Sequence, residues 1–160
     1  MTTHTRWGLT LVAAVLVGLA LLIERALRDE GTSYHYLPPS DYSNIDGRLL
    51  NILEGAFAQL AVPVYRGATW TTDAPFRETA TAIEQQARAE GVLAVEMEAA
   101  ALYAFAQARQ KSVVCFAHVT NQMASVEGDF EKGEANGSRD TLQVIAVTAK
   151  TWMQISVSRT

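Results

Sequence analysis

Two carboxylates, Glu96 and Glu98, bracket Met97 inside the apolar run Gly91-Val-Leu-Ala-Val-Glu-Met-Glu-Ala-Ala-Ala-Leu-Tyr-Ala-Phe-Ala106. Leu93 to Val95 reads as a short buried strand and Ala99 to Ala106 as a helix apolar all round, so both glutamates are expected where burial is nearly complete. Glutamate is seldom buried without a partner. Two chemistries answer this. The carboxylates can open the helix, whose dipole favours negative charge by about a few tenths of a kcal/mol. Alternatively they line a polar pocket at a strand's carboxyl end. A carboxylate there accepts hydrogen bonds from two vicinal hydroxyls at once, which suits the cis-diol of a ribose.

Other polar groups fall at strand ends. The segment Trp70-Thr-Thr-Asp-Ala-Pro-Phe-Arg-Glu-Thr79 leaves one strand, and Thr120-Asn-Gln-Met123 leaves another. With Glu96 to Glu98 they make three polar loops that could converge on one site. Asn121 reads either as a ligand-facing amide or as a turn-former after a strand. His35, between two tyrosines, is a pocket residue or a structural one. The acidic, Gly-rich stretch 129–138 reads as a mobile loop or lid, and its glutamates oppose phosphate binding. No Cys, His and acidic cluster has metal-ligand spacing, so no metal is expected. Cys115, the only cysteine, reads as a buried core thiol.

The elements that must position these groups follow from periodicity. Strands are expected at Leu21–Leu27, Val62–Thr69, Leu93–Val95 and Ser112–Val119. Helices are expected at Ile45–Leu60 with Asn44 as cap, at Ala80–Glu90 between Thr79 and Gly91, at Ala99–Ala106, and at Thr141–Met153. This alternation predicts a single three-layer α/β domain, which 160 residues can fill. The net charge of −4, with no basic face, argues against a nucleic-acid partner and for small neutral or acidic ligands. Residues 7–23 are an uncharged run at the lower limit for a membrane span. They read as a membrane anchor, or as a run whose later part, from Leu21, is a sheet strand, with 1–20 a hydrophobic extension of which the first dozen or so residues are extraneous. The domain proper then covers 21–160, expected in the cytoplasm, with membrane attachment as the alternative.

Four segments together resemble the carboxyl-terminal part of the nucleoside phosphorylase family, which includes uridine phosphorylases, bacterial-type purine nucleoside phosphorylases and nucleosidases. They are Glu24-Arg-Ala-Leu-Arg-Asp-Glu-Gly-Thr-Ser-Tyr-His-Tyr-Leu-Pro38, Thr71 to Thr79, Gly91 to Tyr103 and His118-Val-Thr-Asn121. The resemblance implies an α/β/α phosphorylase-like fold with a mixed sheet, its amino-terminal half missing from this chain. It implies cleavage of a ribosyl N-glycosidic bond by inorganic phosphate as co-substrate, with no further cofactor. Met97 and Glu98, with Glu96 beside them, would hold the ribose. Phe76 would stack on the base, and Arg77 would hydrogen-bond its carbonyl. Asn121, where adenosine-accepting relatives carry aspartate, favours uracil or a 6-oxopurine. The family's Gly-rich and arginine phosphate loops have no counterpart here, so no phosphate-binding residue is identified and activity of the chain alone is in question. A hydrolytic nucleosidase and a non-catalytic, membrane-tethered nucleoside-binding remnant are the competing expectations. Family members form homo-oligomers in which neighbours complete one another's sites.

Overall fold

The computed structural model describes residues 20–119 and 137–157. A five-stranded sheet is built around β1, Ala20–Asp29. One edge of β1 pairs in parallel with β3, Val64–Thr72, and β3 pairs in parallel with β4, Val92–Glu96. The other edge carries two short antiparallel strands. β2, Tyr42–Asn44, faces Arg25 to Leu27, and β5, Phe116–His118, faces Ala20 to Leu22. Three parallel strands therefore end on one side of the sheet, at Asp29, Thr72 and Glu96. β5 runs the other way and ends beside Ala20.

Helices cover both faces. α1 (Gly47–Ile52), α3 (Ala99–Arg109) and α4 (Ser138–Val157) pack on one, where Leu22, Ile23, Ala26, Leu49, Ala99, Ala100 and Tyr103 form the largest core cluster with Trp152 against it. α2 (Ala80–Glu90) packs on the other through Ala82 and Ile83, against Ala68, Trp70 and Val92. This is the expected three-layer α/β/α arrangement with a mixed sheet. Each parallel pairing contains one bulged residue, Glu24 in β1 and Leu93 in β4, where the register slips. Leu93 lies so close over Gly67 that a Cβ there would come within 2.5 Å of its side chain. A larger residue in β3 would make this exposed leucine tip swing aside.

Several boundaries differ from expectation for local reasons. The helix expected over 45–60 is only α1, capped by Asp46 rather than Asn44, because the Asp46 carboxylate accepts the Arg48 amide at 2.8 Å. Gly55, at φ 71°, takes the chain out of helical geometry, and successive turns carry Phe57 and Leu60 onto the core. The strand expected from Ser112 shrinks to β5. Its would-be start is tied to a side chain instead: Cys115 N–H donates to the Tyr103 hydroxyl at 3.1 Å, and that hydroxyl donates to the Ile23 carbonyl at 2.5 Å. α2 has the expected limits, with Thr79 capping Ala82 and Gly91 in the left-handed conformation.

The apolar run over 7–23 ends inside the sheet. Its last four residues, Ala20 to Ile23, are buried strand in the sheet centre, while 7–19 lie outside the described residues. Among the described residues no helix is long and apolar enough to cross a membrane.

Tyr103→Phe leaves a buried carbonyl and amide unpaired, so urea denaturation should show a loss of about 2 kcal/mol; a change under about 0.5 kcal/mol would contradict the bridging role. Burial pushes the Cys115 thiol up to about 11. Thiolate is the reactive form, and raising the pKa empties it at neutral pH. At pH 8 about one thiol in a thousand is ionised, so native alkylation should be slow and rise about tenfold per pH unit up to about pH 10. A rate that levels off near pH 8.5, the ordinary thiol value, would refute this.

Candidate functional site

Glu96 ends β4 with its side chain turned inward, and both of its oxygens are fully engaged. Oε1 accepts the Thr69 hydroxyl at 2.9 Å and the Thr71 hydroxyl, while Oε2 accepts the amides of Glu98 at 2.8 Å and Ala99 at 2.6 Å. Thr71 Oγ1 also accepts the Ala100 amide at 3.1 Å. The first amides of α3, which no helical carbonyl can satisfy, are therefore met by Glu96 and Thr71. Thr69 and Thr71 alternate on β3 and are completely buried, so this polar set is built into the sheet. Of the two chemistries open to Glu96 in sequence, starting the helix is the one its geometry displays.

The expectation of near-complete burial for both glutamates is corrected: Glu96 is half-buried and Glu98 is exposed. Met97 between them is 43% exposed, where the chain between β4 and α3 turns outward at the sheet rim. Glu98 Oε2 accepts the Met97 amide at 3.3 Å, and among the described residues the carboxylate makes no other hydrogen bond. It stands at the positive end of α3 with capacity for further donors.

The loop after β3 stands beside it, since Thr71 is in register with Glu96. A short 3-10 turn, Pro75–Arg77, lifts Phe76 to 86% exposure. Arg77 is paired with Asp29, donating from Nη2 at 2.8 Å. The third parallel strand end, that of β1, contributes groups whose roles the sequence reading missed. Asp29 also accepts the Trp70 indole N–H at 3.0 Å, and Gly31 N–H donates to Asp73 at 3.2 Å. Buried Glu30 accepts the amides of Thr32 at 2.6 Å and Ser33 at 3.0 Å. Buried Arg28 donates to Ser33, Ser40 and the Pro38 and Leu37 carbonyls, with its guanidinium 4.3 Å from the Tyr34 ring centre. The string Arg28-Asp-Glu30 at a strand end was the available signal. His35 is exposed in this same loop.

Asn121 lies outside the described residues. β5, the strand before it, ends beside Ala20, at the opposite end of β1 from Glu96. Of the three expected loops, those after β3 and β4 lie side by side and are joined by the one after β1, while 120–123 lie outside the described residues. The result is an open shelf at the sheet rim. A cleft of about 500 Å³ lies elsewhere, where the carboxyl end of α3 meets the start of α1, and none of its lining residues belongs to these loops.

Comparison with known proteins agrees with this architecture. A uridine phosphorylase from Vibrio fischeri superposes with a TM-score of 0.65 at 20% identity, over 87% of this chain and 56% of that one. The P. knowlesi homologue of P. falciparum PNP gives 0.67 at 18% identity, over 89% and 56%. An AMP nucleosidase from Bacteroides thetaiotaomicron gives 0.67 at 22% identity, over 89% and 57%. The chain therefore spans little more than half the length of each of these structures. No curated protein matches the sequence significantly. A family model described as the phosphorylase superfamily matches residues 9–151, nearly the whole chain. With that match on this sheet and these helices, the chain belongs to the phosphorylase superfamily.

Proposed function

We propose that this chain binds a ribonucleoside on the shelf formed by the ends of β1, β3 and β4, and supports phosphorolysis of its N-glycosidic bond to ribose 1-phosphate and a free base. The observation that carries this reading is the division of labour between the two glutamates. Glu96 is consumed by the fold, while Glu98 is exposed at a helix start with acceptor capacity for two adjacent hydroxyls. Its negative charge beside the sugar would stabilise the positive charge that develops as the glycosidic bond breaks. Met97 supplies an apolar surface next to it. Phe76 offers its face to the base, and Arg77, held at one end by Asp29, keeps other N–H groups for a base carbonyl. A carbonyl-bearing base, uracil or a 6-oxopurine, suits these donors. Asn121, an amide with the same preference, belongs to this reading through the family resemblance alone.

A second reading is hydrolysis, in which water replaces phosphate. The observation favouring it is that the buried guanidinium of Arg28 at this rim is committed to the Ser33 and Ser40 hydroxyls and to the Leu37 and Pro38 carbonyls. The AMP nucleosidase is also among the similar folds. Groups for phosphate would then have to come from outside the described residues, including a neighbouring copy of the chain in an oligomer.

Base release from uridine and from inosine, followed with and without phosphate, separates the two. Phosphorolysis requires release only with phosphate, and release without it supports hydrolysis. Glu98→Ala should lower kcat/KM by about 10²- to 10³-fold with unchanged thermal stability, since the side chain is exposed. Glu96→Ala should instead cost about 2–4 kcal/mol of stability by freeing two amides and two buried hydroxyls. Equal stability losses in the two variants would contradict the assigned roles.

A further inference from the structure

Asp29 accepts two donors from two different segments. Oδ2 takes the indole N–H of Trp70, which is 2% exposed and fixed in β3, and Oδ1 takes Nη2 of Arg77 at 2.8 Å. Arg77 Nη1 reaches the Asp29 carbonyl at 3.5 Å as well. A second tie, from Gly31 N–H to Asp73, fastens the beginning of the same loop to the chain after β1. Between these ties stands Phe76, almost wholly solvent-exposed. The loop carries no buried side chain in its 3-10 turn, so packing does not fix it. Its position rests on these polar ties.

We infer that Asp29 is a positioning residue for nucleoside recognition: anchored by Trp70, its carboxylate sets the place of Arg77 and thereby of Phe76 beside Glu98. This rests on the reading of the shelf as a nucleoside site. Trp70 makes the anchor rigid, because its indole is clamped in the core and its N–H fixes one carboxylate oxygen. The other oxygen is left pointing at the loop. An exposed ion pair contributes little to global stability. Orientation of a five-donor guanidinium, by contrast, decides which of its N–H groups face a ligand. The pair therefore acts on binding more than on folding.

Asp29→Asn keeps the size of the side chain and an oxygen for Trp70, but turns an amide NH₂ toward the guanidinium, donor against donor. Binding of uridine and inosine to the full chain is measured by calorimetry, alongside amide exchange over 74–79 and the thermal midpoint. Asp29→Asn should weaken nucleoside binding by about tenfold, and Arg77→Gln by a similar factor. The double variant should be no weaker than either single one, because both remove the same arrangement. Exchange over 74–79 should accelerate while the midpoint moves by no more than about 2 °C. Unchanged nucleoside binding in Asp29→Asn overturns the inference. So do additive losses in the double variant, or a loss of binding that follows a large fall in the midpoint. A wild-type chain that binds neither nucleoside removes the site reading itself, and the inference with it; that failure is recognised because it appears before any substitution.

Discussion

One carboxylate joins the sheet to the helix that follows it. Glu96 satisfies the first amides of α3 with one oxygen and the buried hydroxyls of β3 with the other, so strand, turn and helix are fixed against one another at one point. A helix start cannot be left with bare N–H groups beside a core, and threonine hydroxyls buried in a sheet need an acceptor. Glu96 answers both demands at once. Everything on the shelf is placed relative to this knot: Met97 and Glu98 are the two residues of the turn it closes.

The same logic recurs at the end of β1, where the chain turns on polar side chains more than on apolar packing. Arg28 gathers hydroxyls and carbonyls from residues 33–40, and Glu30 gathers amides. Neither forms an ion pair with the other. Asp29, alternating to the other side of the strand, holds the loop after β3. Three successive charged residues thus organise two loops, which leaves Phe76, Met97 and Glu98 as the outward groups of the rim.

How far the sequence reveals this depends on the range of each interaction. α2 is legible residue by residue because its cap, Thr79, and its left-handed terminator, Gly91, are local signals. Gly55 is an equally local signal, hidden by the helical spacing of Phe57 and Leu60 around it. β2 was not legible, since three residues become a strand only because β1 offers them an edge. The truncation of β5 depends on a hydroxyl twelve residues away, that of Tyr103. Glu96, Met97 and Glu98 stood out in sequence, but their division into an inward anchor and outward groups depends on Thr69 and Thr71, some 25 residues earlier, which composition alone does not connect to them. The helix read as apolar all round also has an outer face, with Leu102 and Phe105 partly exposed, and that is why Glu98 escapes burial.

The central claim is that Glu98 and Met97 meet a ribose through its diol. Methyl NMR reads it directly, with the methyl of Met97 followed as uridine or 2′,3′-dideoxyuridine is added to the chain. A carboxylate that recognises two vicinal hydroxyls requires both of them. Uridine should shift the Met97 methyl saturably while the dideoxy compound leaves it in place. Equal shifts with both ligands, or a Met97 signal that ignores uridine at millimolar concentration, would contradict the assignment of this rim to the sugar.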